Sequence, residues 1–218
     1  MEILRAILSD VRSALANVYS GWILWNLFLA FIPLLLSFWL YRGRTHSRNF
    51  LWWVGFIVFI AFLPNAPYVL TDIIHLIRGT RFSETWVVAL VFIPIHISAI
   101  LLGFEAYVVS LINQAIYLKR QGARQFVFWS ELLTHALCAI GIYLGRFRRF
   151  NSWDFVTEPE NVLRSTIDDL TSKLPLLVIV STFVILAVFY WVVKQITIGL
   201  ILRWRYYRLN KDVLDEIA

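Results

Sequence analysis

Five stretches of the chain are apolar for the length of a membrane crossing. A spanning helix needs about 20 mostly apolar residues, and residues 21–40, 50–70, 86–112, 126–145 and 174–202 meet that length. The first two carry no charge. The third holds His96 and Glu105, the fourth Glu131 and His135, and the fifth Lys194. A different pattern fills residues 1–19, where Ile3, Leu4, Ile7, Leu8, Val11, Leu15 and Val18 recur at helical spacing with Glu2, Arg5, Asp10 and Arg12 between them. That is the pattern of an amphipathic helix lying on the membrane surface. Val162, Leu163, Thr166, Ile167 and Leu170 repeat it, and Thr157 with Glu160 has the spacing of a capping box, which predicts the helix start. The expected fold is all-α: a polytopic membrane helix bundle of about five transmembrane helices plus amphipathic surface helices. Its parts are an N-terminal amphipathic segment at 1–19, the bundle at 20–202 and a basic cytoplasmic tail at 203–218.

Composition agrees with the pattern. Hydrophobic residues make up 60% of the chain and charged residues 16%, against about 45–50% and about 25% in ordinary globular chains. The net charge of +6 fits basic loops held against anionic lipid, so the expected partner is the lipid bilayer and not nucleic acid. The lone Cys138 excludes an internal disulfide. No cofactor motif, nucleophile elbow or phosphate loop is present. The apolar run of the first stretch exceeds a signal-peptide core and no small-residue cleavage pattern follows, so it reads as a retained span. Trp22, Trp39, Trp52, Trp53, Trp86, Trp129 and Trp204 lie at or near the ends of the stretches, as interfacial anchors should. Lys and Arg are densest in residues 41–49, 113–125 and the tail from Arg203. That density places the N-terminus outside and the C-terminus in the cytoplasm of a cell-membrane protein.

Ionisable residues inside the membrane cost roughly 2.5–3.5 kcal/mol each on insertion scales, so they come with partners or a wet cavity. His96, Ala99, Gly103, Ala106 and Ser110 share one face of the third span, and Ser130, Glu131, Thr134, His135 and Cys138 make a polar stripe on the fourth. These two stripes are expected to face each other. Glu105 points the opposite way, toward Lys194 as its counter-charge. A structural ion pair and interhelical hydrogen bonds outweigh a proton relay or a metal site here, because two residues spaced i, i+4 (Glu131 and His135) are too few for a metal.

Two short segments break the apolar pattern. FLPNAPYVLTDIIHL, beginning at Phe62, ends the second span with Pro64 and Pro67, which should break the helix and free carbonyls for which Asn65 supplies donors. Asp72 or Thr71 then caps a short helix ending at Gly79, with His75 on the side of Asp72. GRFRRFNSWD, beginning at Gly145, puts Arg146, Arg148 and Arg149 at a membrane exit on the side where Lys and Arg are disfavoured. The arginines either pair with Asp72 and Asp154 or bind an anionic group, which suits their planar forks of donors. The two segments should therefore meet, with Asn65, Asp72, His75, Arg146, Arg148, Arg149, Asn151 and Asp154 as the candidate site.

Both segments resemble the two signature segments of the domain of unknown function 1361 family, over a region of about Trp22 to Trp191. The resemblance implies an integral membrane protein and brings no reaction or catalytic residues with it. Three function classes stay open. One is outer-face binding or transport of an anionic lipid or small anion. The second is a membrane enzyme on a lipid-linked or phosphorylated substrate, with Asp72, His75 and Asp154 as acid–base groups. The third is a structural subunit whose polar residues only lock the helices. The anionic-group reading is preferred.

Overall fold

The computed structural model describes residues 22–43, 48–80 and 84–209, with Arg5, Ser9 and Arg12 besides. The amphipathic segment expected at 1–19 and the end of the tail lie outside the described residues, apart from those three. Among the described residues the chain is helical, without strands. Five helices are long and apolar enough to cross a membrane: Ile23–Arg42, Phe50–Asp72, Thr85–Arg120, Arg124–Arg148 and Lys173–Arg208. They are called the first to fifth spans below.

Two spans run well past the predicted ends. The third continues to Arg120 because Asn113 and Gln114, which lower the hydropathy, do not break the backbone ladder. It stops where Gly122 adopts a left-handed φ of 74°. There the amide of Ala123 reaches the carbonyl of Leu118 and that of Gly122 reaches Lys119, a Schellman end that only a glycine enters without strain. The fifth continues to Arg208, so residues 203–208 at the start of the predicted basic tail are helix.

The second span confirms the proline expectation in a modified form. Its helix starts at Asn49, whose side-chain oxygen accepts the Trp52 amide at 3.0 Å. It stops at Phe62, turns at Leu63 and Pro64, and then resumes as one α turn (Asn65–Tyr68), a 3-10 turn (Val69–Asp72) and a short helix (Ile73–Gly79). The chain is therefore kinked and tightened, never opened into a loop. Neither Thr71 nor Asp72 caps the last helix: the Thr71 hydroxyl donates back to the Tyr68 carbonyl, and Asp72 is engaged elsewhere.

This kinked span packs against the first, third and fourth spans. A Cβ placed on Gly55 would come within 2.3 Å of the Trp39 ring of the first span, one on Gly103 within 2.9 Å of Val69, and one on Gly141 within 2.7 Å of Pro64. Glycine at these three positions is what lets the first, third and fourth spans approach it. The small-residue stripe of the third span thus seats Ala66 and Val69, not the stripe of the fourth span as expected. The fourth span meets the third through Tyr107, whose hydroxyl lies 2.6 Å from Nδ1 of His135.

The surface helix predicted around Val162 forms over Pro159–Thr171. The Thr157–Glu160 capping box does not form. Pro159, with its preset φ at the first helical position, sets the start, and the Thr157 hydroxyl turns back to the Trp153 carbonyl. Val162 is buried, while Leu163 and Ile167 remain exposed. This cross helix rests over the ends of the second and fourth spans.

Candidate functional site

The fourth span ends in a wide π turn, Leu144–Arg148, closed by Arg149 in the left-handed region at φ 62°. An arginine pays for that conformation, since its Cβ crowds the backbone where glycine would not. The amides of Arg149 and Phe150 both return to the Leu144 carbonyl. Residues 150–153 thereby fold back across the helix end toward the kinked second span.

There the two proline- and arginine-marked segments join. Asn65 donates from Nδ2 to the Phe62 carbonyl freed by the kink and to the Ser152 hydroxyl, both at 2.9 Å. Arg146 donates to the Thr71 carbonyl at 3.2 Å. Gly141 faces Pro64 and Gly145 faces Tyr68. Freed carbonyls at a proline break need such donors when water is scarce.

The three arginines have separate fates. Arg148 does not pair with Asp72 or Asp154; it forms a bidentate bridge to Asp169 on the cross helix, at 2.9 and 2.5 Å. Asp169 is 1% exposed. Asp154 instead accepts the Asn151 amide at 2.6 Å and closes its own loop. Asp72, also 1% exposed, takes both contacts from the Asn26 side chain of the first span, at 3.0 and 3.3 Å. The Arg149 side chain is exposed and makes no hydrogen bond or ion pair with a described residue. His75 lies on the helix Ile73–Gly79, and its side chain is outside the described residues.

Between these elements lies a cavity of about 260 Å³. Its polar lining comes from Asn26, Asn65, Arg149, Asn151 and Ser152, and its aromatic lining includes Trp25, Tyr68 and Trp153. Of the seven candidates whose side chains are described, four are therefore absent from the lining. Asp72 sits behind Asn26, Arg146 and Arg148 are committed to neighbouring elements, and Asp154 braces the loop. Asn26 and Ser152 were not legible as site residues. A lone Asn in an apolar run, or a Ser beside a Trp, gives no signal of its own.

The intramembrane polar residues form a second group, and its pairing differs from expectation. Lys194 pairs with Glu131 at 2.5 Å, and Glu131 also accepts the Tyr190 hydroxyl at 2.8 Å. Glu105 takes the Thr197 hydroxyl at 3.0 Å. Thr197 lies one turn beyond Lys194 on the fifth span, so the two acids are served by successive turns of one helix. His135 bonds Tyr107 and packs edge-on against Tyr190, with centroids 4.7 Å apart. His96 is buried with Nδ1 at 2.8 Å from the Phe92 carbonyl of its own helix. Toward the Arg120 end of the third span, Arg42 and Ser37 hold the buried Asn113 at 2.7 and 2.9 Å, beyond the predicted end of the span at residue 112. No three His, Cys, Asp or Glu side chains among the described residues converge to hold a metal ion.

Five membrane-length apolar helices, with no strand among the described residues, define the class: an all-helical membrane protein. Within that class the chain belongs to the family described as Protein of unknown function (DUF1361), whose model matches residues 25–188 and so takes in both joined segments. Comparison with curated proteins and with solved structures gives no match.

Proposed function

We propose that this is a multi-pass protein of the cell membrane, N-terminus outside and C-terminus in the cytoplasm, that binds an anionic group in the polar cavity at the kinked end of the bundle. The observation that carries the reading is the contrast among three adjacent arginines. Two are spent on closing the bundle, and the third is held in a strained backbone conformation at the rim of a cavity with no anion of its own. Strain of this kind persists where the surroundings enforce it, and it concentrates at ligand sites. A guanidinium there offers a planar fork of donors to a phosphate or carboxylate. The polar lock is part of the same design: Asn65, Arg146 and Arg148 fix the walls so that Arg149 and Asn151 present a formed site.

The test is thermal denaturation of the detergent-purified protein with glycerol 3-phosphate as the anionic probe. The wild type and Arg120→Gln, altered at the far end of the third span, should gain stability with the probe. Arg149→Gln should gain none. An unchanged response in Arg149→Gln removes the reading.

A further inference from the structure

The polar cavity does not stand alone. Ala61, Pro64, Gly141 and Leu144 line it and also line a second, apolar groove of about 500 Å³. That groove runs between the second and fourth spans, with Ile57 and Ile60 on one wall, Leu137 and Ile140 on the other, and Val162 and Leu163 of the cross helix over it. Its size falls within the range of about 300–1,000 Å³ typical of small-molecule sites. Apart from Thr166, every side chain that lines it is apolar. Ile57 and Leu137 are exposed on the bundle surface, where a membrane-embedded protein meets hydrocarbon, so a chain can enter sideways from the bilayer. Trp25 and Trp153, about half exposed at the other end, line the polar cavity. Tryptophans favour head-group depth, so the polar cavity lies level with lipid head groups and the groove level with lipid tails.

A small free anion would use only the first compartment. A soluble apolar molecule would use only the second and leave Arg149 unanswered. One chemistry fits both: an anionic head joined to a hydrocarbon chain. We propose that the cavity and the groove form a single site for a phosphate-bearing membrane lipid, with its head against Arg149 and Asn151 and a chain between the second and fourth spans beneath Val162 and Leu163. This rests on the anion-binding reading above and adds the ligand class to it. The cross helix is then the roof of the tail compartment, and the Arg148–Asp169 bridge ties that roof to the span bearing the head-group arginine. Gly141 lies at the neck, where a side chain would meet Pro64.

The experiment compares dioctanoyl phosphatidic acid with glycerol 3-phosphate, binding each to detergent-purified protein by native mass spectrometry and thermal shift. The wild type should hold the lipid at least about tenfold more tightly than the head alone, since each buried methylene adds affinity. Leu137→Trp, which fills the groove from an exposed position, should lose that preference and keep its affinity for glycerol 3-phosphate. Leu163→Trp on the roof should do the same and serves if Leu137→Trp folds poorly. Arg149→Gln should lose both ligands. If the wild type binds both probes equally, or both tryptophan variants keep the lipid preference, the tail site is wrong and the head site stands. If the wild type binds neither, both readings fall.

Discussion

At the level of single residues, what matters is which charges are spent and which are left over. Arg149 is left over, and its backbone is strained as well. Replacing it by glycine removes both features at once. Arg149→Gly should raise stability by about 1 kcal/mol through relief of the left-handed conformation while abolishing the response to glycerol 3-phosphate. Thermal denaturation with and without the probe reads both effects. A variant that lost stability would mean that the side chain holds the fold instead. Lys194 is the opposite case, being fully spent. Its partner Glu131 is 13% exposed in the side chain, so Lys194→Met strands a largely buried carboxylate and should cost about 2–4 kcal/mol. Adding Glu131→Gln should return most of that, because the neutral amide still accepts the Tyr190 hydroxyl. If the double variant is no better than the single, the ammonium contributes through packing and not through its charge.

At the level of elements, the spans and the kink were legible and the pairings were not. Twenty apolar residues in a row announce a span whatever surrounds them, and two prolines announce a break whatever it packs against. Both signals are local. The partner of Arg148 is Asp169, which lies on a helix whose placement depends on how the chain turns at Pro159 and Ser172; no spacing rule reaches that far. Glu105 and Glu131 lie at similar depth, so depth could not choose which one Lys194 takes; the rotation of the fifth span chose. Asn113 looked like the start of a loop because hydropathy counts its amide as a cost, and the bonds from Arg42 and to Ser37 remove that cost. The glycine contacts give the element-level prediction. Gly103→Val presses a branched side chain into Val69 and the Ala66 carbonyl, and overpacking of this kind costs about 1–3 kcal/mol. Gly199, with open space around it, is the control: Gly199→Val should leave the melting temperature almost unchanged. Equal losses at both positions would show that helix propensity alone was being measured.

At the level of the whole molecule, the two ends of the bundle differ in how their positive charge is balanced. Among the described residues the kinked end carries six basic residues, Arg78, Arg146, Arg148, Arg149, Arg164 and Lys173, with seven acids, Asp72, Glu84, Asp154, Glu158, Glu160, Asp168 and Asp169. At the other end Arg42, Arg48, Lys119, Arg120, Arg124, Arg203, Arg205 and Arg208 face no described acid. Uncompensated Lys and Arg near span ends hold a membrane protein's loops on the cytoplasmic side, where the anionic leaflet attracts them. The arginines of the kinked end resist this pull because Arg148 is bridged to Asp169 and Arg146 is bonded into the second span. The kinked end, with its cavity, should therefore face outward. Single cysteines in a Cys138→Ser background decide it, since Cys138 is buried and its loss leaves no competing thiol. Glu160→Cys, exposed at the start of the cross helix, should react with a membrane-impermeant maleimide in intact cells. Gln121→Cys, exposed beyond the third span, should react only after permeabilisation. The reverse pattern would turn the molecule over and put the lipid-phosphate site on the cytoplasmic leaflet, where Arg149 would draw on a different pool of anionic head groups.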